Sequence, residues 1–238
     1  MKQSIKIGFA VICAFITTSL FAQSDLARKP LNLSGFTSIQ ASGIASVYLT
    51  KGNQEKVELE MTEKYRDYVK VSVDNGVLNI KWENKERTRW RDEDDLKIKL
   101  YVTYKNLNSL TGSGATNFFT QNKLVTNELS LDLSGANNCT LDVDAGSMKV
   151  NASGACNVKL SGKTDKLMVD ASGACNIKAY DLKADDVDAD VSGVSNVHIT
   201  AEKTLDVKAS GISNVHYKGG AKVGTQEVSK MSHLKRTR

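Results

Sequence analysis

One short sequence recurs six times between residues 112 and 217, and its period restricts the chain to a stacked architecture. The copies are GSGATNFF (112–119), LSGANNCTL (133–141), ASGACNVKL (152–160), ASGACNIKA (171–179), VSGVSNVHI (191–199) and ASGISNVHY (209–217). Their glycines, Gly114, Gly135, Gly154, Gly173, Gly193 and Gly211, lie 21, 19, 19, 20 and 18 residues apart. An outlying copy, ASGIASVYL, begins at Ala41. Ahead of each later Ser-Gly the apolar residues alternate, as in Leu129, Leu131 and Leu133 or Leu205, Val207 and Ala209. A period of two means a strand with one buried face. A second short alternation follows the motif, as in Val158 and Leu160. Two strands and two turns in so few residues cannot close a core alone, but stacked on their neighbours they can. The reading is an all-β chain, a parallel β-helix or β-solenoid with coils of about 19–20 residues.

The motif residues have mechanical roles. Glycine takes positive φ at a tight corner without steric cost. Asn117, Asn138, Asn157, Asn176, Asn196 and Asn214 each follow their glycine by three residues. They are expected to stack as a structural amide ladder, each side chain bonding the next. Asn137, one residue before that row, reads as an ordinary surface position.

Composition enters through what it excludes. One proline in 238 residues excludes proline-rich linkers, and four cysteines are too few for a disulfide scaffold. A net charge of +5 is mild and does not point to nucleic acid. Residues 1–22 read as a signal peptide, with Lys2 and Lys6 before an apolar run from Ile7 to Phe21 and Ala22 at the cut site. The run is shorter than a bilayer span, and Ile12 before Cys13 does not suit lipidation. The chain is expected to be exported, to the periplasm, cell surface or medium, without a transmembrane span. Four regions follow: the signal (1–22), a less regular β-rich part of the solenoid (23–110), the regular repeats (111–218), and a C-terminal cap with a basic tail (219–238). Asp74-Asn75-Gly76 marks a hairpin, and ENKERTRWRDEDD (83–95) a charged loop.

The units S-G-[AIV]-x-N-[VI], the lead-in FTSIQASGIASVYLTKG (36–52) and VDNGVLNI (73–80) together resemble a bacterial exported family common in Bacteroidetes, the putative auto-transporter adhesin, head GIN domain. The resemblance covers about residues 33–228. It implies a right-handed β-helical solenoid and brings no catalytic residues.

Candidate chemistry lies on the outward columns. Asp170 and Asp190 stand three residues before their glycines, and Asp188 five before, on one expected face. Such carboxylates suit a solvated face, with Ca²⁺ binding or polysaccharide lyase chemistry as the rival. Five residues after the glycines come Lys159, Lys178, His198 and His216, a basic column suited to anionic glycans or lipid headgroups. The two histidines lack an evident third metal ligand. Cys156 and Cys175 share a register with Thr116, Ser195 and Ser213 and read as buried thiols or as a disulfide, while Cys139 belongs to another column. Trp82, Trp90 and Tyr101 are candidates for an aromatic patch. No nucleotide fingerprint or hydrolase motif occurs. The function expected is a non-catalytic, adhesin-like binding or scaffold module for an envelope or extracellular ligand, glycan among the candidates, with no cofactor. The alternatives are a β-helical, lyase-like enzyme or a purely structural envelope protein.

Overall fold

The computed structural model describes residues 26–83 and 98–237. The leader with Cys13, and Trp90 in the charged segment, lie outside the described residues. The chain forms a β-solenoid of about 7 turns. Its regular part runs through β7 (Ser109–Thr120), β8 (Leu124–Gly135), β9 (Asn138–Gly154), β10 (Asn157–Gly173), β11 (Asn176–Val191), β12 (Asn196–Ala209) and β13 (Asn214–Lys218). Successive strands pair in parallel, with Gly154 opposite Gly173 and Asn157 opposite Asn176. The alternation dictates what goes inside. In β9, Cys139, Leu141 and Val143 are buried while Thr140 and Asp142 point outward. One continuous apolar core results, from Phe36 to Ala221.

The corner requires glycine for two independent reasons. Gly173 has φ +88°, a region L side chains rarely adopt. A Cβ there would also stand 2.6 Å from the carbonyl oxygen of Gly154 in the preceding coil. The corner repeats by the same close stacking of backbone on backbone.

The N-terminal part is only partly solenoidal. β2 (Ser38–Lys51) stacks on β7 in register, with Gly43 opposite Gly114. β5 (Val77–Trp82) and β6 (Lys99–Tyr104) stack in parallel on the two halves of β2 and so make up one further coil. Beyond that coil the chain turns antiparallel: β4 (Val69–Asp74) on β5, β3 (Lys56–Thr62) on β6, and β1 (Leu26–Leu31) on β3. Asn75 (φ 50°) and Gly76 (φ 77°) make the tight β4–β5 turn. These antiparallel strands cover the solenoid's first edge.

At the other end, β14 (Lys222–Val228) and β15 (His233–Arg236) stack on β12 and β13 as one more coil. The segment VSKMSHLKR (228–236) is therefore a further repeat unit. Lys230 stands where the glycines stood, and His233 pairs with Asn214.

Candidate functional site

Three longitudinal columns follow from the in-register stacking, one internal and two on outer faces. The internal column lies two residues after each glycine: Thr116, Asn137, Cys156, Cys175, Ser195 and Ser213, all at most 1% exposed, then Ser232 at 6%. Each polar atom there serves the buried corner. Cys156, Cys175 and Ser213 donate to the carbonyl three residues back, of Ser153, Ser172 and Ser210. Ser195, Ser213 and Ser232 also reach the glycine carbonyl of the preceding coil. Asn137 is the largest member. Its Nδ2 donates to Ser134 O at 2.8 Å, and its Oδ1 accepts both the N–H and the Oγ–H of Thr116. Asn137 thus corrects the surface reading: its side chain fills the coil interior because alternation through the corner points that residue inward.

Cys139, Cys156 and Cys175 are free thiols and buried. Burial pushes the Cys139 thiol up. Cys156 is held down by hydrogen bonding from Cys175 and by Asn137, against its burial, whereas Cys175 is pushed up by the same pairing and by burial. The structure thus holds the pair as thiols rather than as a disulfide.

The Asn row stacks at the surface. Asn138 donates to Asn117 (2.9 Å), Asn157 to Asn138 (3.3 Å) and Asn214 to Asn196 (3.0 Å), and Asn117 ends the row on Ser46 Oγ (3.1 Å). Asn176 keeps its register between Asn157 and Asn196 without a side-chain bond to either. Asn138, Asn157 and Asn196 are exposed and the others half-buried, so the row is not a buried ladder.

Two residues further on, a second outward column runs on the same face. In stacking order it reads Tyr101, Tyr48, Phe119, Thr140, Lys159, Lys178, His198, His216 and Lys235. Its upper end is aromatic: Tyr48 stacks on Tyr101 (5.0 Å) and Phe119 (5.4 Å), and the Arg28 guanidinium lies 3.4 Å from the Tyr101 ring centre. The lower end is basic. His198 and His216 stack at 5.2 Å, 10° from parallel. Tyr180, which sequence reading missed, sits edge-on to His198 at 5.1 Å and under the Lys218 ammonium at 4.6 Å. Burial, then the neighbouring His216, lowers the His198 pKa below 6.5. We call the Asn row and this column the lane.

The opposite side of the Ser-Gly corner is acidic. Asp170 and Asp190 are adjacent in register, and Asp188 lies between Met168 and Asp206 in the neighbouring column. All three are exposed. Among the described residues no three His, Cys, Asp or Glu come together in a way that could hold a metal ion. The acids share a face without converging. Trp82 and Tyr101 belong to separate stacks, since Trp82 packs on Tyr68 (5.9 Å) and Tyr65 (6.4 Å). Tyr101 lies between Tyr48 and the Arg28 guanidinium, and Trp82 stacks on Tyr68, so the two rings do not form one patch.

A family model described as putative auto-transporter adhesin, head GIN domain, matches residues 35–221. The chain belongs to this family. Its fold recurs in solved structures described as putative adhesins. One from Bacteroides fragilis has a TM-score of 0.81 at 21% identity, covering 90% of this chain and 98% of that one. One from Parabacteroides merdae has 0.72 at 20%, covering 90% and 97%. A Parabacteroides distasonis structure described as a putative lipid binding protein has 0.71 at 15%, covering 90% and 98%. At these identities the likeness shows the fold alone. Comparison with curated proteins gives no match. No helix among the described residues is long and apolar enough to cross a membrane.

Proposed function

We propose that this head GIN domain chain is an exported, non-catalytic, adhesin-like module that holds an elongated acidic glycan along the lane. The observation that carries this reading is the one-residue-per-coil alignment of Lys159, Lys178, His198, His216 and Lys235 beside the Asn row. Parallel coils repeat about every 4.8 Å, so lysine ammonium groups, imidazoles and amide groups recur at a fixed pitch along a straight line. A flexible anionic chain can lie along such a line, each carboxylate meeting a lysine and each hydroxyl an amide. The adhesin family supports binding in place of turnover. The spread of Asp170, Asp188 and Asp190 over an open face supports the same choice.

Affinity electrophoresis through gels containing a uronic-acid polymer or a neutral one tests the reading. Retardation by the acidic polymer alone, without release of unsaturated sugar ends, is the expected result. Such release, abolished by Asp170→Asn, Asp188→Asn and Asp190→Asn together, would replace the module with a lyase.

A further inference from the structure

All three histidines of the chain fall in the lane, at its basic end. His198 and His216 are consecutive rungs of the lysine column, and His233 takes the asparagine place in the next coil, opposite Asn214. Histidine is the side chain that ordinarily gains its charge between about pH 8 and pH 5. Three of them on adjoining rungs concentrate the chain's response to pH at one place.

The register shows what these rings face. β11 brings Lys178 and Tyr180 to His198, β13 brings His216 and Lys218, and β15 brings His233 and Lys235. Arg236 follows Lys235 but is tied to the Gly219 carbonyl. No carboxylate stands in either column of the lane. The protein thus offers the imidazoles cations and other rings but no counter-charge, which an anionic ligand would supply. Burial and the stacked His216 disfavour charge on His198 in the free protein. His198 and His216 lie ring over ring at 5.2 Å, so they point side by side out of the face and not towards one shared ion.

An imidazole is mostly uncharged above about pH 7. With uncharged rings the column has two cationic rungs, Lys159 and Lys178, then a gap of about 14 Å before Lys235, at about 4.8 Å per rung. With protonated rings it is one unbroken run from Lys159 to Lys235, and His233 lies beside its end.

We propose that the histidine end of the lane is a pH gate, which holds acidic glycan along the whole column in mildly acidic surroundings and leaves it to the lysine rungs alone at neutral pH. The proposal rests on the lane reading and adds to it a condition for capture and release. Each imidazole takes one proton from solvent as the polymer binds and returns it on release.

Titration of the chain from residue 23 onward with polygalacturonate, at about pH 7.5 and about pH 5.5 and one ionic strength, tests it. The polymer's carboxylates stay ionised at both values, since such groups lose their charge near about pH 4. The wild type is expected to bind about tenfold more tightly at the lower pH, through added charge-assisted contacts. His198→Asn, His216→Asn and His233→Asn together leave no histidine in the chain and should keep the two affinities within about twofold. In the wild type, the imidazole midpoints followed by NMR should move to higher pH when polymer is added, because proton and polymer binding are reciprocally linked. That readout needs no variant. Equal wild-type affinity at the two pH values would overturn the gate and leave the lane standing. So would a pH gain retained by the triple variant, or midpoints unmoved by polymer. Absence of binding at both values would remove the lane reading, and the gate with it.

Discussion

Replacing Asn137 by alanine should destabilise the solenoid far more than replacing any member of the visible Asn row. Asn137 is fully buried, and its amide satisfies three groups: the Thr116 N–H, the Thr116 hydroxyl and the Ser134 carbonyl. Alanine leaves all three without that partner and opens a small void. An unsatisfied buried polar group costs roughly 1–3 kcal/mol. Allowing for rotation of the Thr116 hydroxyl and entry of one water, the net loss should be about 3–4 kcal/mol. Asn137→Ser should recover part of it, because Ser195 and Ser213 hold equivalent corners. Asn138→Ala removes bonds to Asn117 and Asn157, but at the surface water replaces them, for a cost on the order of 0.5 kcal/mol. Asn176→Ala should cost no more. Urea unfolding of the four variants beside the wild type, read as midpoint shifts at constant m, gives the order directly. A loss at Asn138 or Asn176 equal to that at Asn137 would refute the internal-column argument.

Three further outcomes are expected. Gly173→Ala must adopt a left-handed φ and displace the Gly154 carbonyl, so a loss of at least about 2 kcal/mol by the same urea assay is expected, and a neutral result would mean the corners are not stacked as described. Cys139, Cys156 and Cys175 should resist a thiol reagent in the native chain and give three equivalents in denaturant once residues 1–22 are removed; a single equivalent would reveal a disulfide. His198 binds its proton less readily when folded, so the unfolded state holds more protons between its pKa near 6.5 and the lower folded one. Stability is therefore full above pH 6.5 and falls as the pH drops through that window, and His198→Asn should flatten this part of the curve.

The parts legible in the sequence were those whose physics is local and repeated. A glycine at positive φ with an asparagine three residues later marks a corner wherever it occurs, and this fixed the register of six units. The last unit escaped because Lys230 and His233 replace both markers, although Val228, Ser232 and Leu234 keep the pattern. The antiparallel cap escaped because strands such as Val57–Met61 and Val69–Val73 show their inward face but not their partner. Asn137 is hidden in the sequence because two asparagines stand together and only one fits the row. The available signal was the column of Thr116, Cys156, Cys175, Ser195 and Ser213, in which Asn137 holds the matching offset. The lysine and histidine column was readable from spacing, whereas Tyr180 beside His198 depends on a local register shift between Ala179 and Lys183.

The central functional claim, that the lane binds acidic polymer by position and not by bulk charge, is tested by two charge reversals of equal size. Lys159→Glu with Lys178→Glu alters the lane, and Lys149→Glu with Lys166→Glu alters exposed lysines on the other side of the Ser-Gly corner. Both pairs change the net charge equally, so titration of the two variants with a uronic-acid polymer at one ionic strength isolates position. The lane pair is expected to lose about tenfold or more in affinity while the other pair stays near wild type. Equal losses in both would mean that net charge alone draws the polymer, and the lane would then have no claim to be the binding site.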